Sequence, residues 1–192
     1  MNQLLKGHIM KIEEANKVMS EADLLAGEAE VKAAIGSLAT EITDCLKDAN
    51  PVLLCIMNGG LIFTGQLLTK LVFPLEVDYV HATRYGHEVN GAKLNWTVRP
   101  QLDLEGRTVL LLDDILDEGV TLAAIADYCR QQGASRVLMA VLVEKLHLRK
   151  VTPGMRADFF GLEVGDRFLF GYGLDYKGYW RNAPGIYAVK GL

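Results

Sequence analysis

Three aspartates in one short stretch, Asp113, Asp114 and Asp117, could together bind the sugar of a sugar phosphate. They follow a strongly apolar run and are succeeded by Gly119 and Thr121, which stand where a helix is predicted to begin. The N–H groups at the start of a helix attract a phosphate, and glycine there lets the backbone approach it closely. Threonine adds a hydroxyl donor, and carboxylates accept hydrogen bonds from sugar hydroxyls. The spacing therefore predicts a sugar-phosphate site.

The same acids have a plainer interpretation, in which they only cap the helix and face water. Two better-known phosphate motifs are excluded by their own requirements. Gly60 and Gly65 have the spacing of a P-loop, but Gln66 stands where that motif requires lysine. Gly171 and Gly173 begin like a dinucleotide-binding fingerprint, but its third glycine is missing.

The elements that must position these residues form a repeating order of strand, glycine-bearing turn and helix. That order is typical of a parallel α/β sheet, whose ligands bind beyond the carboxyl ends of the strands. Strands are predicted at 52–57, 75–83, 94–98, 107–112 and 136–143, and helices at 11–19, 20–47, 61–72 and 120–132. The chemically informative residues therefore fall at one edge of the predicted sheet.

The first part of the chain, residues 1–50, is predicted to be a helical segment. Its apolar side chains recur at helical spacing, namely Val31, Ile35, Leu38, Ile42 and Leu46. Ser20 followed by Asp23 resembles a capping box at the start of the second helix. Further along, the polar stretch 84–93 contains two glycines and predicts a mobile loop.

Composition narrows the class of protein. The chain has 192 residues without repeats or linkers, so we expect one domain spanning residues 1–192. A net charge of -4 argues against non-specific nucleic-acid binding, and no apolar run approaches the ~20 residues needed to span a bilayer. Three scattered cysteines, Cys45, Cys55 and Cys129, suggest buried thiols in a reducing compartment. We expect a cytoplasmic protein without a membrane or nucleic-acid partner.

The stretch 109–121 resembles the phosphoribosyl pyrophosphate motif of type I phosphoribosyltransferases. Three further segments match that family in the family's order: 55–60 as the pyrophosphate loop, 84–86 at the start of the lid, and Glu144-Lys145 with 168–176 and Arg181. The resemblance is closest to hypoxanthine-guanine phosphoribosyltransferases. It implies an α/β fold with a central, mainly parallel sheet flanked by helices, a flexible lid loop at 84–98 and a small C-terminal hood region.

The resemblance also implies an activity, transfer of the 5-phosphoribosyl group from phosphoribosyl pyrophosphate to hypoxanthine or guanine, giving IMP or GMP plus pyrophosphate. Asp113 and Asp114 would hold the ribose hydroxyls. The residues implied to bind the phosphoribosyl group are Asp113, Asp114, Asp117, Glu118, Gly119, Val120 and Thr121. Asp117 would also accept the purine's proton as general base, a role that typically contributes ~10²–10⁴-fold to the rate.

For the other half of the substrates, the resemblance implies that Lys145 donates to the exocyclic oxygen of the purine and thereby disfavours adenine. Taken alone, Lys145 would be a solvated charge at a strand end, and Phe168 would be core packing. The implied purine-binding residues are Lys145, Phe168, Leu169 and Asp175. The implied pyrophosphate-binding residues are Asn58, Gly59, Gly60, Arg84, Tyr85 and Arg181. Asp175, with Asp113 and Asp114, would bind Mg²⁺.

Three residues depart from the family's pattern. Asn58 stands where a lysine is common, so the backbone N–H groups of 58–60 would have to serve, across a cis peptide. Glu118 replaces a small hydroxyl residue and is expected to turn away from the phosphate, which would repel it. Arg84 replaces a small polar residue and could restore positive charge that Asn58 lacks.

The remaining candidates have structural interpretations. His81, His87 and His147 lack metal-ligand spacing and are expected to be structural or to face solvent. Trp96 and Trp180 are expected to serve packing or an interface.

Two alternative functions stay open at this stage. One is a nucleotide-sensing regulator of the same fold, and the other is a phosphoribosyltransferase for another base such as xanthine. The first would be expected to carry a basic face or an added nucleic-acid-binding module, which this sequence lacks. The family resemblance also implies a homodimer or homotetramer.

Overall fold

The computed structural model describes residues 10–84 and 94–191. Along the chain the elements are α1 (Ile12–Glu21), β1 (Asp23–Ala26), α2 (Glu28–Leu46), β2 (Val52–Ile56), α3 (Gly60–Leu68), β3 (Glu76–Arg84), β4 (Leu94–Val98), β5 (Thr108–Leu116), α4 (Val120–Gln131), β6 (Arg136–Leu146), β7 (Phe159–Gly165), β8 (Leu169–Phe170) and β9 (Ile186–Ala188).

Six strands form the main sheet in the order β4-β3-β2-β5-β6-β7. Strands β3, β2, β5, β6 and β7 run parallel, and β4 pairs antiparallel with β3 at one edge. Every residue of β2 is buried, as expected of a central strand covered on both faces. The predicted α/β class with a mainly parallel sheet is confirmed.

Helices cover both faces of this sheet. On one face, α2 and α3 pack over Leu110 and Leu112. On the other face, α4 packs over Val109 and Leu111. The alternation along β5 follows from the period of two in a strand. All five residues that predicted the apolar face of α2 are buried, so that prediction is confirmed.

A second, three-stranded sheet in the order β1-β9-β8 forms the hood, defined here by these three strands. Its strand β1 corrects the prediction of one continuous helix over 20–47. Ser20 lies in the last turn of α1, where its hydroxyl donates to the Lys17 carbonyl, and Asp23 begins β1. The predicted capping box between Ser20 and Asp23 is therefore wrong. The helix α2 instead begins after Gly27, whose N–H donates to the Glu30 carboxylate at 2.7 Å.

Several smaller predictions can also be compared. Strand 94–98 is confirmed, whereas β7 and β9 were not predicted, and residues 85–93 of the expected lid lie outside the described residues. Cys45 is exposed on α2, which corrects its prediction as a buried thiol. Trp180 donates to the Ala15 carbonyl at 2.7 Å and ties α1 to the C-terminal part, a packing role as predicted. Within the described ranges, no helix combines the length and apolar character that crossing a bilayer requires.

Candidate active site

One cleft lies beyond the carboxyl ends of β2, β5 and β6, where a parallel sheet is expected to bind ligands. Its volume is about 360 Å³. Most of the residues singled out in the sequence line it, namely Asn58, Gly59, Asp113, Asp114, Asp117, Thr121, Lys145, Phe168, Leu169, Asp175 and Arg181. Segments far apart in the sequence therefore meet at one site.

The loop after β2 is shaped by close backbone approach. The Met57–Asn58 peptide is cis, which agrees with the prediction made for this loop. A Cβ at Gly60 would lie 2.6 Å from the Leu112 carbonyl oxygen, and one at Gly59 would collide with the Asp114 carboxylate. Both positions therefore require glycine, because α3 begins directly against the end of β5.

Asp113 and Asp114 lie on β5 itself, which ends at Leu116, four residues beyond its predicted end. The Asp114 N–H donates to the Asp113 carboxylate at 2.9 Å. Burial raises the pKa of Asp113 well above its ordinary value, and the charge of Asp114 raises it further. Burial also raises the pKa of Asp114, although its hydrogen bond with Asp113 and the nearby charge of Arg181 oppose that shift. The positive charge of Arg181 opposes the rise in the pKa of both carboxyl groups without cancelling it.

Asp117 lies in the turn between β5 and α4 in a different environment. The N-cap of α4 is Gly119, with φ of 80°, so Asp117 is not the N-cap. Its carboxylate instead accepts a hydrogen bond from Lys145 at 3.0 Å. Burial raises the pKa of Asp117, but hydrogen bonds from Lys145 and His147 outweigh it, and the net pKa lies below the ordinary value. Asp117 is therefore ionised near neutral pH.

Lys145 belongs to β6, which continues to Leu146 and so carries the lysine into the cleft. Its side chain is 9% exposed, which corrects the plainer interpretation of a solvated charge at a strand end. Besides Asp117, the ammonium group lies 3.5 Å from Asp166, which forms two hydrogen bonds with the Arg149 guanidinium. Two carboxylates therefore hold Lys145 in place.

His147 is the main residue that the sequence interpretation missed. Its side chain is 4% exposed, and its Nε2 lies 2.7 Å from Asp117 Oδ1. His147 was expected to be structural or to face solvent, and the second of these roles is wrong. The sequence did hold a signal, because residues two apart near the end of a strand point to the same face, and His147 follows Lys145 at that spacing.

The hood side of the cleft carries the aromatic and basic candidates. Phe168 is 45% exposed at the rim and meets the Tyr176 ring edge to face, with 5.7 Å between ring centroids. It is available for stacking, and so the interpretation of Phe168 as core packing is wrong. Arg181 contacts the Asp175 carboxylate, donates to the Gly173 carbonyl and lies 3.9 Å from Asp114.

The remaining predicted site residues lie around the cleft or beyond the described part. Glu118 and Gly119 belong to the turn before α4, and Val120 and Thr121 are the first two residues of that helix. The Glu118 carbonyl accepts a hydrogen bond from the Val151 N–H at 2.7 Å. Arg84 ends β3, and Tyr85 lies outside the described residues.

The metal prediction can be compared with the donors present. Asp113, Asp114 and Asp175 all line the cleft and offer the oxygen ligands that magnesium prefers. Magnesium commonly takes only one or two protein carboxylates and completes its shell with substrate phosphates and water. This donor set fits such an ion. Across residues 10–84 and 94–191, no group of three His, Cys, Asp or Glu side chains is arranged to hold a metal.

Comparison with known proteins gives a consistent result. Residues 22–177 match the family model of the phosphoribosyl transferase domain. The hypoxanthine-guanine phosphoribosyltransferase of Bacillus subtilis is 32% identical over 168 residues, which cover 87% of this chain and 92% of that protein. The enzyme of the same name from Aquifex aeolicus is 35% identical over 172 residues, covering 87% of this chain and 94% of that protein.

A solved structure of a hypoxanthine-guanine-xanthine phosphoribosyltransferase is also similar, with a TM-score of 0.78 and 28% sequence identity. The match covers 90% of this chain and 98% of that one, and confirms the predicted type I phosphoribosyltransferase fold. The parallel sheet, the acidic motif at its carboxyl edge and the match over residues 22–177 lead to one conclusion: this chain belongs to the phosphoribosyl transferase domain family.

Proposed function

We propose that this protein is a purine-salvage enzyme that transfers the 5-phosphoribosyl group from phosphoribosyl pyrophosphate to hypoxanthine or guanine, giving IMP or GMP and pyrophosphate. The observation that carries the proposal is a paired donor and acceptor in the cleft. The Lys145 ammonium and the Asp117 carboxylate lie 3.0 Å apart and line the same cleft.

This pair complements one edge of a 6-oxopurine. Guanine presents its O6 and N7 side by side on one edge, whereas adenine presents an amino group at position 6. Lys145 has only donors and therefore pairs with an oxygen but not with an amino group. Beside it, Asp117 accepts the proton of the imidazole ring. In adenine the amino group would set its N–H donors against the Lys145 ammonium and leave both groups without a hydrogen bond to each other, which supports rejection of adenine.

The reaction needs one bond to form and one to break. A purine ring nitrogen bonds to the anomeric carbon of the ribose as the bond from that carbon to pyrophosphate breaks. The proton lost from the purine passes to Asp117, which is ionised and can receive it. The anomeric carbon develops positive charge, and the carboxylates of Asp113 and Asp114 stabilise that charge electrostatically.

The other substrate groups are assigned to the neighbouring segments. The turn of Asp117 to Thr121 and the start of α4 would bind the 5′-phosphate, because helix N-termini favour anions. Asn58 to Gly60 and Arg181 would bind pyrophosphate. Asp175, with Asp113 and Asp114, would hold magnesium, and the ion would supply positive charge against the pyrophosphate.

The test is nucleotide formation by the pure protein with phosphoribosyl pyrophosphate and hypoxanthine, guanine, xanthine or adenine, with and without magnesium. We expect turnover of hypoxanthine or guanine that requires magnesium and falls by roughly 10²–10⁴-fold in Asp117→Asn. Xanthine belongs in the panel because the similar solved structure is named for that base as well.

The alternative outcomes identify the competing functions. Binding of phosphoribosyl pyrophosphate without turnover of any base would favour the nucleotide-sensing regulator and make Asn58 and Glu118 the first residues to vary. Turnover of adenine alone would contradict the role given to Lys145. The proposed homodimer or homotetramer is tested separately by sedimentation equilibrium.

A further inference from the structure

His147 contacts the proposed general base through a ring whose tautomer is set by a second hydrogen bond. The Arg149 backbone N–H donates to His147 Nδ1 at 3.0 Å. A backbone N–H is only a donor, so Nδ1 must be the accepting nitrogen, and the neutral ring carries its proton on Nε2. Nε2 then donates to Asp117 Oδ1 across 2.7 Å.

The loop that carries His147 is itself anchored. The Arg149 guanidinium forms two hydrogen bonds with the Asp166 carboxylate, which follows directly after β7. Pairing of β6 with β7 places Leu146 beside Gly165 and so brings the two loops together. The position of the imidazole is therefore fixed by the fold as well as by its contact with Asp117.

The two donors to Asp117 use different oxygens and differ in what else they can bind. Lys145 donates to Oδ2 and also lies 3.5 Å from Asp166, whereas His147 donates to Oδ1. If Lys145 binds the purine oxygen, its hydrogen bond to Asp117 weakens or breaks at that stage. The His147 hydrogen bond does not depend on this exchange.

We infer that His147 is a positioning residue, which keeps the Asp117 carboxylate oriented through Oδ1 while Lys145 turns to the purine and leaves Oδ2 to accept the purine proton. This inference rests on the proposed function. It also explains why the persistent donor is a neutral imidazole. A neutral donor lowers the basicity of a carboxylate less than a nearby positive charge does, so Asp117 becomes a better base once Lys145 has moved.

The kinetic test compares His147→Ala with His147→Gln, whose side-chain amide offers a donor in place of Nε2. We expect His147→Ala to lower kcat for hypoxanthine by roughly 10–100-fold, since a misplacement of about 1 Å can cost 10²-fold. KM for phosphoribosyl pyrophosphate should stay within about twofold, and His147→Gln should recover most of kcat. Leu148→Ala is the matched control, because Leu148 lies in the same loop with a fully exposed side chain.

A spectroscopic test does not depend on turnover. In protein labelled with ¹⁵N-histidine and free of substrate, we expect His147 to show the Nε2–H tautomer, with its signals assigned by their loss in His147→Gln. An Nδ1–H tautomer would overturn the inference even if the enzyme were fully active. Equal loss of kcat in the Ala and Gln variants, or unchanged kcat in both, would overturn it as well. Failure of the proposed function would appear instead as an inactive wild type that retains the expected tautomer.

Discussion

Asp114 and Asp117 lie three positions apart in the sequence, and the cleft places them in opposite electrostatic surroundings. Asp114 is buried next to Asp113, and the Arg181 guanidinium lies 3.9 Å from its carboxylate. Asp117 has Lys145 and His147 on its two oxygens. Burial raises the pKa of the first carboxylate, whereas donors lower the pKa of the second.

This difference indicates that the carboxylates of one motif have two separate roles, ligand binding and proton acceptance. Burial raises the pKa of both Asp113 and Asp114, so the pair favours a ligand that brings hydroxyl donors or a cation. Asp117 is held ionised and oriented before any substrate arrives, as a proton acceptor needs to be. Carboxylates whose surroundings shift their pKa values apart commonly have separate roles in a reaction.

After Asp117→Asn, the largest kinetic effect is expected from Gly59→Ala, which acts on the crowded Asp113–Asp114 pair. The added methyl group would occupy the space of the Asp114 carboxylate and displace it. We expect kcat/KM for phosphoribosyl pyrophosphate to fall by roughly 10²-fold, since small misplacements in an active site can cost that much.

Gly65→Ala is the matched control for this variant. Gly65 lies inside α3, and a Cβ there would meet nothing within 4 Å. Replacement of a glycine in a helix interior by alanine should stabilise the fold by about 0.5–1 kcal/mol and leave the kinetics unchanged. Wild-type kcat/KM in Gly59→Ala would show that Asp114 does not need its present position.

The second prediction concerns Asp117, whose two oxygens both have hydrogen-bond partners. Lys145→Met removes the cation that helps to lower the pKa of Asp117, so that pKa should rise towards its ordinary value. The acid limb of kcat/KM against pH, which reports groups of the free enzyme, should then move to higher pH. The loss of a buried donor should lower kcat/KM for hypoxanthine by roughly 10–100-fold.

Lys145→Arg tests whether charge alone is responsible. It keeps a positive charge near Asp117, so the acid limb should move less than in Lys145→Met, although the larger planar group is expected to bind the purine poorly. An acid limb that stays in place in Lys145→Met would mean that another group sets the pH dependence.

The position of the aspartates could be predicted from the sequence, but the partners that distinguish Asp114 from Asp117 could not. Asp113, Asp114 and Asp117 follow an apolar strand and precede a helix, and this local order suffices to place them at the carboxyl edge of the sheet. Their partners come from elsewhere. Asp166 reaches Lys145 because β6 and β7 pair in a particular register, and β7 was not predicted at all.

The error at the N-terminal end has a similar physical cause. Residues 20–27 continue an apolar and acidic pattern that suits a helix, yet β1 forms there because it pairs with β9 near the other end of the chain. A strand stabilised by so distant a partner leaves little local signal, since strand preference depends strongly on tertiary context. The core face of α2, which depends only on its own spacing, was predicted except for Ala39.

The smallest expected effects concern stability, and here the two carboxylates should differ in sign. Asp113→Asn removes a charge that burial and Asp114 disfavour, so the free energy of unfolding without ligands should rise by about 1 kcal/mol. Asp117→Asn replaces a carboxylate that accepts from Lys145 and His147 with a neutral amide, so the free energy of unfolding should fall by about 0.5–1 kcal/mol. The value is small because Asp117 is partly exposed to solvent. Urea denaturation at pH 7.5 measures both variants against the wild type.

The pH dependence of these two differences follows from the directions of the pKa shifts. Asp113 has a raised pKa in the folded protein, so between the ordinary value of about 4 and that raised value the folded state binds more protons and wild-type stability falls as pH rises. Asp117 has a lowered pKa, so its contribution is present above about 4 and is lost as pH falls through the lowered value. Both variants should therefore approach the wild type in acid and diverge from it in opposite directions as pH rises. Two variants that shift the free energy of unfolding in the same direction at pH 7.5 would contradict the distinction between the two carboxylates.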